Sequence, residues 1–170
     1  MGVKVKWTVK KDLLDQMKRN AAAVSGTAVE VGAFEGSHAW LAGIHEYGCD
    51  IPVTDKMRGW LGVHGLHLSK NTTHIHIPER SFLRAGYDKH GKSVAKHAVL
   101  LLADVAAGRI APETLYEAIG TELSDFIKEY AIELNSPGKH PFTLEQGGGS
   151  NPLVQTGDMI GGITWRTGKL

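Results

Sequence analysis

The chain predicts an α+β fold: a small mixed sheet, a two-helix hairpin packed on it, and an inserted β-hairpin. Three observations lead there. Apolar and polar residues alternate strictly at 3–9 and again at 163–167, the period of a strand with one buried face. Two long stretches, 88–107 and 112–134, carry apolar stripes of helical period and are joined by a four-residue link. Between these regions, Gly48, Pro52 and Pro78 punctuate a segment whose centre again alternates.

The elements follow in order. Val3, Val5, Trp7 and Val9 share one strand face, with Lys4, Lys6 and Thr8 opposite. Residues 12–24 form a helix with Leu13, Leu14, Met17 and Ala21 on one side, stopped by Ser25-Gly26. Residues 27–34 form a second strand beside the first. A short helix at 37–47 starts on Ser37 as N-cap and carries Trp40, Leu41, Ile44 and Tyr47 at helical spacing. His45 and Glu46 are expected as a solvated pair on its outer face. The insertion, about 50–77, reads as a hairpin with arms at 62–68 and 73–77 and a turn at 69–72. The helix at 88–107 ends at Gly108, and Pro112 opens the next at its first-turn position. Short connection makes the two antiparallel. A loop at about 136–152, rich in Gly and Pro, is expected to be flexible, and Gly147-Gly148-Gly149 lacks the Lys-Ser/Thr ending of a phosphate-cradling loop. The chain then closes in a strand around Ile163 and Trp165.

The 170 residues suffice for one domain, 1–170, with a core. A net charge of +1 gives no global drive toward nucleic acid or a membrane. Nine histidines would make the chain basic below about pH 6.5. The lone cysteine, Cys49, allows no internal disulfide and fits a reducing compartment such as bacterial cytoplasm. No apolar run reaches the roughly 20 residues of a membrane helix, nor does residues 1–6 read as a signal peptide. No membrane partner is expected.

Catalytic signatures are missing: Gly-x-Ser-x-Gly, His-Glu-x-x-His and Cys-x-x-Cys do not occur. No cofactor and no enzymatic activity are expected. An alternative is a metal-dependent hydrolase or nuclease. In the expected hairpin, His67, His74 and His76 fall on one face, with His64 near, and imidazoles so gathered could hold a transition metal. A polar, solvent-facing strand side is the plainer reading. Lys4, Lys6, Lys10 and Lys11 could touch DNA, but interleaved lysines also serve as solubility and edge protection.

Three stretches stand out together. The first is IHEYG at 44–48, followed by Ile51-Pro52. The second is IPERSFLRAG at 77–86, and the third NPLVQTGDMIGGITW at 151–165. In this order the chain resembles the tail-completion or neck proteins of long-tailed bacteriophages, small virion-morphogenesis proteins that join head to tail. The resemblance spans residues 44–165. It departs at Gly161-Gly162, where the family often carries Ser. It implies a structural protein that assembles as a homo-oligomeric ring, a hexamer in the first instance, at the head–tail junction of the virion after assembly in the host cytoplasm. The implied partners are copies of itself and other neck and tail proteins: connector, stopper and tail terminator. DNA passing through the ring would meet only weak, unspecific contacts. The corner at 78–84 combines aromatic and arginine side chains, the chemistry of interface hot spots. Phe82, Leu83, Arg80, Arg84 and Tyr47 are therefore the interface candidates. Phe82 is expected as an assembly contact and Arg84 as the group that fixes the insertion to the body.

Overall fold

The computed structural model describes residues 11–147 and 149–170, so the strand expected at 3–9 lies outside the described residues. Helix α1 (Lys11–Ala23) is followed by β1 (Thr27–Gly32) and α2 (Gly36–Tyr47). Then come β2 (Cys49–Pro52), α3 (Asp55–Val63) and β3 (His74–Ile77). Two long helices follow, α4 (Phe82–Ala106) and α5 (Pro112–Glu133). Two short helices, α6 (Pro141–Glu145) and α7 (Asp158–Gly161), lead to β4 (Thr164–Lys169). The fold is α+β, with helix predominating.

Helices α4 and α5 are the spine. Their contacts run in opposite senses: Gly86 meets Ile127, His90 stacks on Phe126 at 4.3 Å, and His97 reaches Glu122 at 2.6 Å. The pair is therefore antiparallel, as the short link requires. On α5 the buried residues Gly120, Ser124, Ile127 and Ala131 recur every three or four positions. Gly86 and Gly120 permit close approach. A Cβ at Gly86 would lie 3.1 Å from Ile127 Cγ1, and one at Gly120 would lie 2.4 Å from the Trp165 ring. The core gathers Phe82, Ile127 and Ala131 with Ala42, Leu153, Met159, Ile160 and Ile163.

Strands β1 and β4 pair antiparallel, with Val31 opposite Trp165 and Glu30 opposite Arg166. The Glu30–Arg166 pair closes at 2.8 Å, and the Arg166 guanidinium lies 4.2 Å from the Phe34 ring centre. This is the expected joining of the second strand to the chain's last strand. The small mixed sheet, however, is divided among the described residues into two antiparallel two-stranded sheets, β1–β4 and β2–β3.

The inserted hairpin is built differently from expectation. The partner of β3 is β2, with Ile51 opposite Ile75 and Cys49 opposite Ile77. Residues 62–68, expected as an arm, are the end of α3 and the turn after it. Thr54 explains why a helix starts there: its side chain accepts from the Met57 N–H at 3.1 Å, and Asp55 follows in the first turn. Arg58 then ties α3 to the loop beyond, donating to the carbonyls of Leu68, Ser69 and Thr72. Helix α4 also starts at Phe82, six residues before the expected 88.

The third signature stretch begins as a helix stop. Asn151 Nδ2 donates to the carbonyls of Ala131 (3.2 Å) and Ile132 (2.6 Å) at the end of α5. Its Oδ1 accepts from the N–H groups of Leu153 and Val154. One amide thus satisfies carbonyls that α5 cannot satisfy itself and turns the chain back onto the core.

Candidate functional site

The three signature stretches are far apart in sequence and meet at one corner. Helix α2 ends at Tyr47, and Gly48 turns the chain with φ +68°. No other residue type fits there, since a Cβ would lie 2.8 Å from both the Ile77 carbonyl and the Glu79 amide nitrogen. The end of α2 is thereby pressed against residues 77–79. The Arg80 N–H donates to the His45 carbonyl at 2.7 Å and locks the crossing.

Glu46 sits at the centre. Only 2 % of it is exposed. Its Oε2 accepts from the Leu83 N–H at 2.8 Å, and its Oε1 from the Arg84 N–H at 3.1 Å. Ser81 Oγ and Arg84 Nε donate to Oε1 at 3.3 and 2.8 Å. Helix α4 has no acidic residue in its first turn and no side-chain cap of its own. The carboxylate from α2 therefore takes the place of a cap, binding amides that a helix start leaves unpaired and facing the positive end of the helix. Arg84 neutralises it and spans further: its Nη2 donates to the Glu46 carbonyl (3.0 Å) and to Glu79 Oε1 (2.7 Å), and its guanidinium lies 4.8 Å from the Tyr47 ring centre.

Arg80 holds the other side. It is 7 % exposed. Its Nε donates to the Pro137 carbonyl at 2.9 Å, its Nη2 to the Gly138 carbonyl at 3.1 Å and its Nη1 to His45 Nδ1 at 3.0 Å. All three acceptors are neutral. Burial holds the guanidinium below its ordinary pKa. Burial, with the positive charge of Arg80 beside it, pushes His45 down to about 4, so the imidazole is neutral at pH 7 and accepts the bond. Lys139 continues the tether, donating to the carbonyls of Gly149 and Val154 and to Gln155 Oε1.

Beside this corner lies a groove of about 760 Å3. Its walls come from one face of α2, from β3 and Pro78, from residues 138–143, and from residues 152–159. All three signature stretches contribute to it.

The interface candidates divide. Tyr47 is 68 % exposed, and Arg84 and Leu83 lie partly open at the corner. Phe82 is fully buried in the core, so it cannot serve as a surface contact of the folded chain; as the first residue of α4 its ring is carried inward. Arg80 is likewise an internal tether. Arg84 does bind the insertion's exit to the end of α2. The histidine candidates separate as well. His74 and His76 share one face of β3, with His76 Nδ1 2.8 Å from Asp50 Oδ1. His67 lies after α3 beside Gly62 because its segment is not a strand, and His64 stacks on Trp60 at 4.0 Å. No three His, Cys, Asp or Glu side chains come together as a metal-holding group among the described residues.

Glu46 is not the solvated partner of His45: it is buried and pairs with Arg84 as an acid available to the corner's arginines, and what sequence reasoning missed is its capping of α4. A partial signal existed: a helix start at Ser81 without an acid in its first turn favours an anion from elsewhere, and Glu46 of the first signature stretch is one of the acids the chain offers. The chain matches no family model, no curated protein and no solved structure.

Proposed function

We propose that the chain is a structural component of a tailed-phage virion, a neck or tail-completion protein that joins the head connector to the tail as a homo-oligomeric ring. One observation supports this reading above others. The three stretches that carry the resemblance are separated by up to about a hundred residues, yet they form one continuous corner and groove. Stretches that merely matched by chance would have no reason to meet. Around them, Tyr47, Trp40 and Trp60 stand exposed, the amphipathic aromatics that protein interfaces favour.

In this reading the ring contacts are copies of the same chain, and connector, stopper and tail-terminator proteins lie above and below. The role is structural and needs no cofactor. The test is the mass of the purified protein by native mass spectrometry, together with complementation of particle production in a phage lacking the gene. A closed ring of identical subunits, six in the first instance, and failure of head–tail joining without the chain are expected. A strict monomer, with heads and tails joining normally in its absence, contradicts the proposal.

A further inference from the structure

The groove beside the corner contains a charge that no carboxylate neutralises among the described residues. Arg80 is more than nine-tenths buried in its wall and has no carboxylate partner among the described residues. Two carbonyls and a neutral imidazole take three of its N–H groups. A guanidinium carries five. Lys139 lines the same groove, again without a carboxylate, and His38, His45, His76 and His140 lie around it. The acid in the groove wall is Asp158, which accepts from Thr156 Oγ1. A buried unpaired cation costs free energy that an incoming anion recovers.

The second observation is an open strand edge. The Val53 N–H donates to the Thr73 carbonyl at 2.8 Å, and the pairs Ile51–Ile75 and Cys49–Ile77 follow at the same parity. Pro52, which has no N–H, stands opposite His74. The backbone N–H and C=O groups of His74 and His76 therefore point away from β2. None of them has a hydrogen-bond partner among the described residues. His76 itself lines the groove, and the neighbouring walls are apolar: Leu41, Ile75, Ile77, Leu153 and Met159.

We propose that this groove binds an extended acidic segment of a partner protein, which adds to β3 as a further strand and places a carboxylate on Arg80. The strand edge supplies main-chain recognition, the apolar walls take alternate side chains, and the guanidinium selects the charge. The apolar lining argues for a peptide rather than a phosphodiester backbone. The inference rests on the groove alone and stands whether or not the chain is a virion component.

The probe is a short labelled peptide alternating Val and Glu, with a counterpart in which every Glu is Lys, titrated into the full chain by fluorescence anisotropy. The acidic peptide binds and the basic one does not. Arg80→Gln weakens binding about tenfold or more, because the anion loses a buried charged partner. Arg80→Gln also removes a structural tether, so a second variant decides independently. His76→Pro deletes one outward N–H and no backbone bond to β2, and gives up the exposed side-chain contact with Asp50 that His76→Ala gives up too; it abolishes binding while melting at the temperature of His76→Ala. His76→Ala, which loses the side chain from the groove wall but keeps the N–H, retains binding that His76→Pro loses. Equal binding of the basic peptide, tighter binding of single-stranded DNA, undiminished affinity in His76→Pro, or no binding up to about 1 mM peptide each overturns the proposal.

Discussion

Helix α4 is held in two ways along its length. Its body packs on α5 by shape: Gly86 lets Ile127 in, Val94 and Val105 face inward, and His90 stacks on Phe126. Its first turn is held by charge: one carboxylate from α2 takes two amides, a hydroxyl and a guanidinium. The packed body tolerates a lost hydrogen bond and is sensitive to volume. The corner is sensitive to a single charge, because a buried ion stripped of its partner pays the full cost of desolvation. The same helix should therefore answer different substitutions at its two ends.

The largest effect is expected at the corner. Glu46→Ala leaves the Leu83 and Arg84 amides without their acceptor, while the half-exposed Arg84 guanidinium keeps Glu79 and the carbonyl of residue 46, and should lower stability by about 2–3 kcal/mol. Urea denaturation measures it. A loss below about 1 kcal/mol, the range of an exposed ion pair, would mean that Glu46 is not a structural carboxylate.

Volume is the lever in the packed part. Ala has the higher helix propensity, so Gly120→Ala would stabilise an isolated helix by about 1 kcal/mol. Here the new Cβ meets the Trp165 ring at 2.4 Å, and the expected result is a net loss of about 1–3 kcal/mol. Thermal melting decides the sign.

The corner should also respond to acid through His45. Its folded pKa of about 4 lies below the ordinary value of 6.5. Between these values the unfolded chain binds more protons than the folded one, so stability falls as pH drops from 6.5 toward 4 and levels off below. In His45→Gln the amide oxygen can still accept from Arg80 but does not titrate. The difference in stability between wild type and variant should therefore shrink or reverse across that window; a constant difference would show that His45 titrates normally.

The smallest effect separates close approach from mere proximity. A Cβ at Gly91 would lie 3.0 Å from the Tyr87 ring, but that ring is 58 % exposed and can swing away. Gly91→Ala should stabilise by up to about 1 kcal/mol, the helix-propensity gain, as read from the shift in urea midpoint.

What was legible in the sequence follows the same division. Period alone gave α1, α2, α5 and the body of α4, because each spaces its apolar residues at a helical period, although Leu13 and Leu14 of α1 and Trp40 and Tyr47 of α2 stand exposed. It gave β1 and β4 through the period of a strand. It gave β3 within the expected arm at 73–77 and failed between 50 and 72. There Leu66 and Leu68 alternate by chance of composition, and the true partner of β3 is four residues following Gly48, across a helix that Thr54 starts. Local alternation carries no information about which strand lies opposite. The corner's candidates were found as a group, and Arg84's tie of the insertion to the body with them, but the inward course of Phe82 and Arg80 was not. Whether Phe82 points out or in depends on where α4 begins, and that is fixed by Glu46, a residue 36 positions earlier. Long-range satisfaction of backbone groups has no sequence period.

The most direct test of this arrangement is native-state hydrogen exchange at the Leu83 and Arg84 amides. A helix's first N–H groups have no acceptor within the helix and ordinarily exchange fast. If Glu46 holds them, both are protected in the wild type to a degree approaching the interior of α4. In Glu46→Ala both lose that protection by far more than the amides around Ile127 in α5. Fast exchange of Leu83 and Arg84 in the wild type, or a loss in the variant no greater than that of α5, would contradict the buried-carboxylate corner.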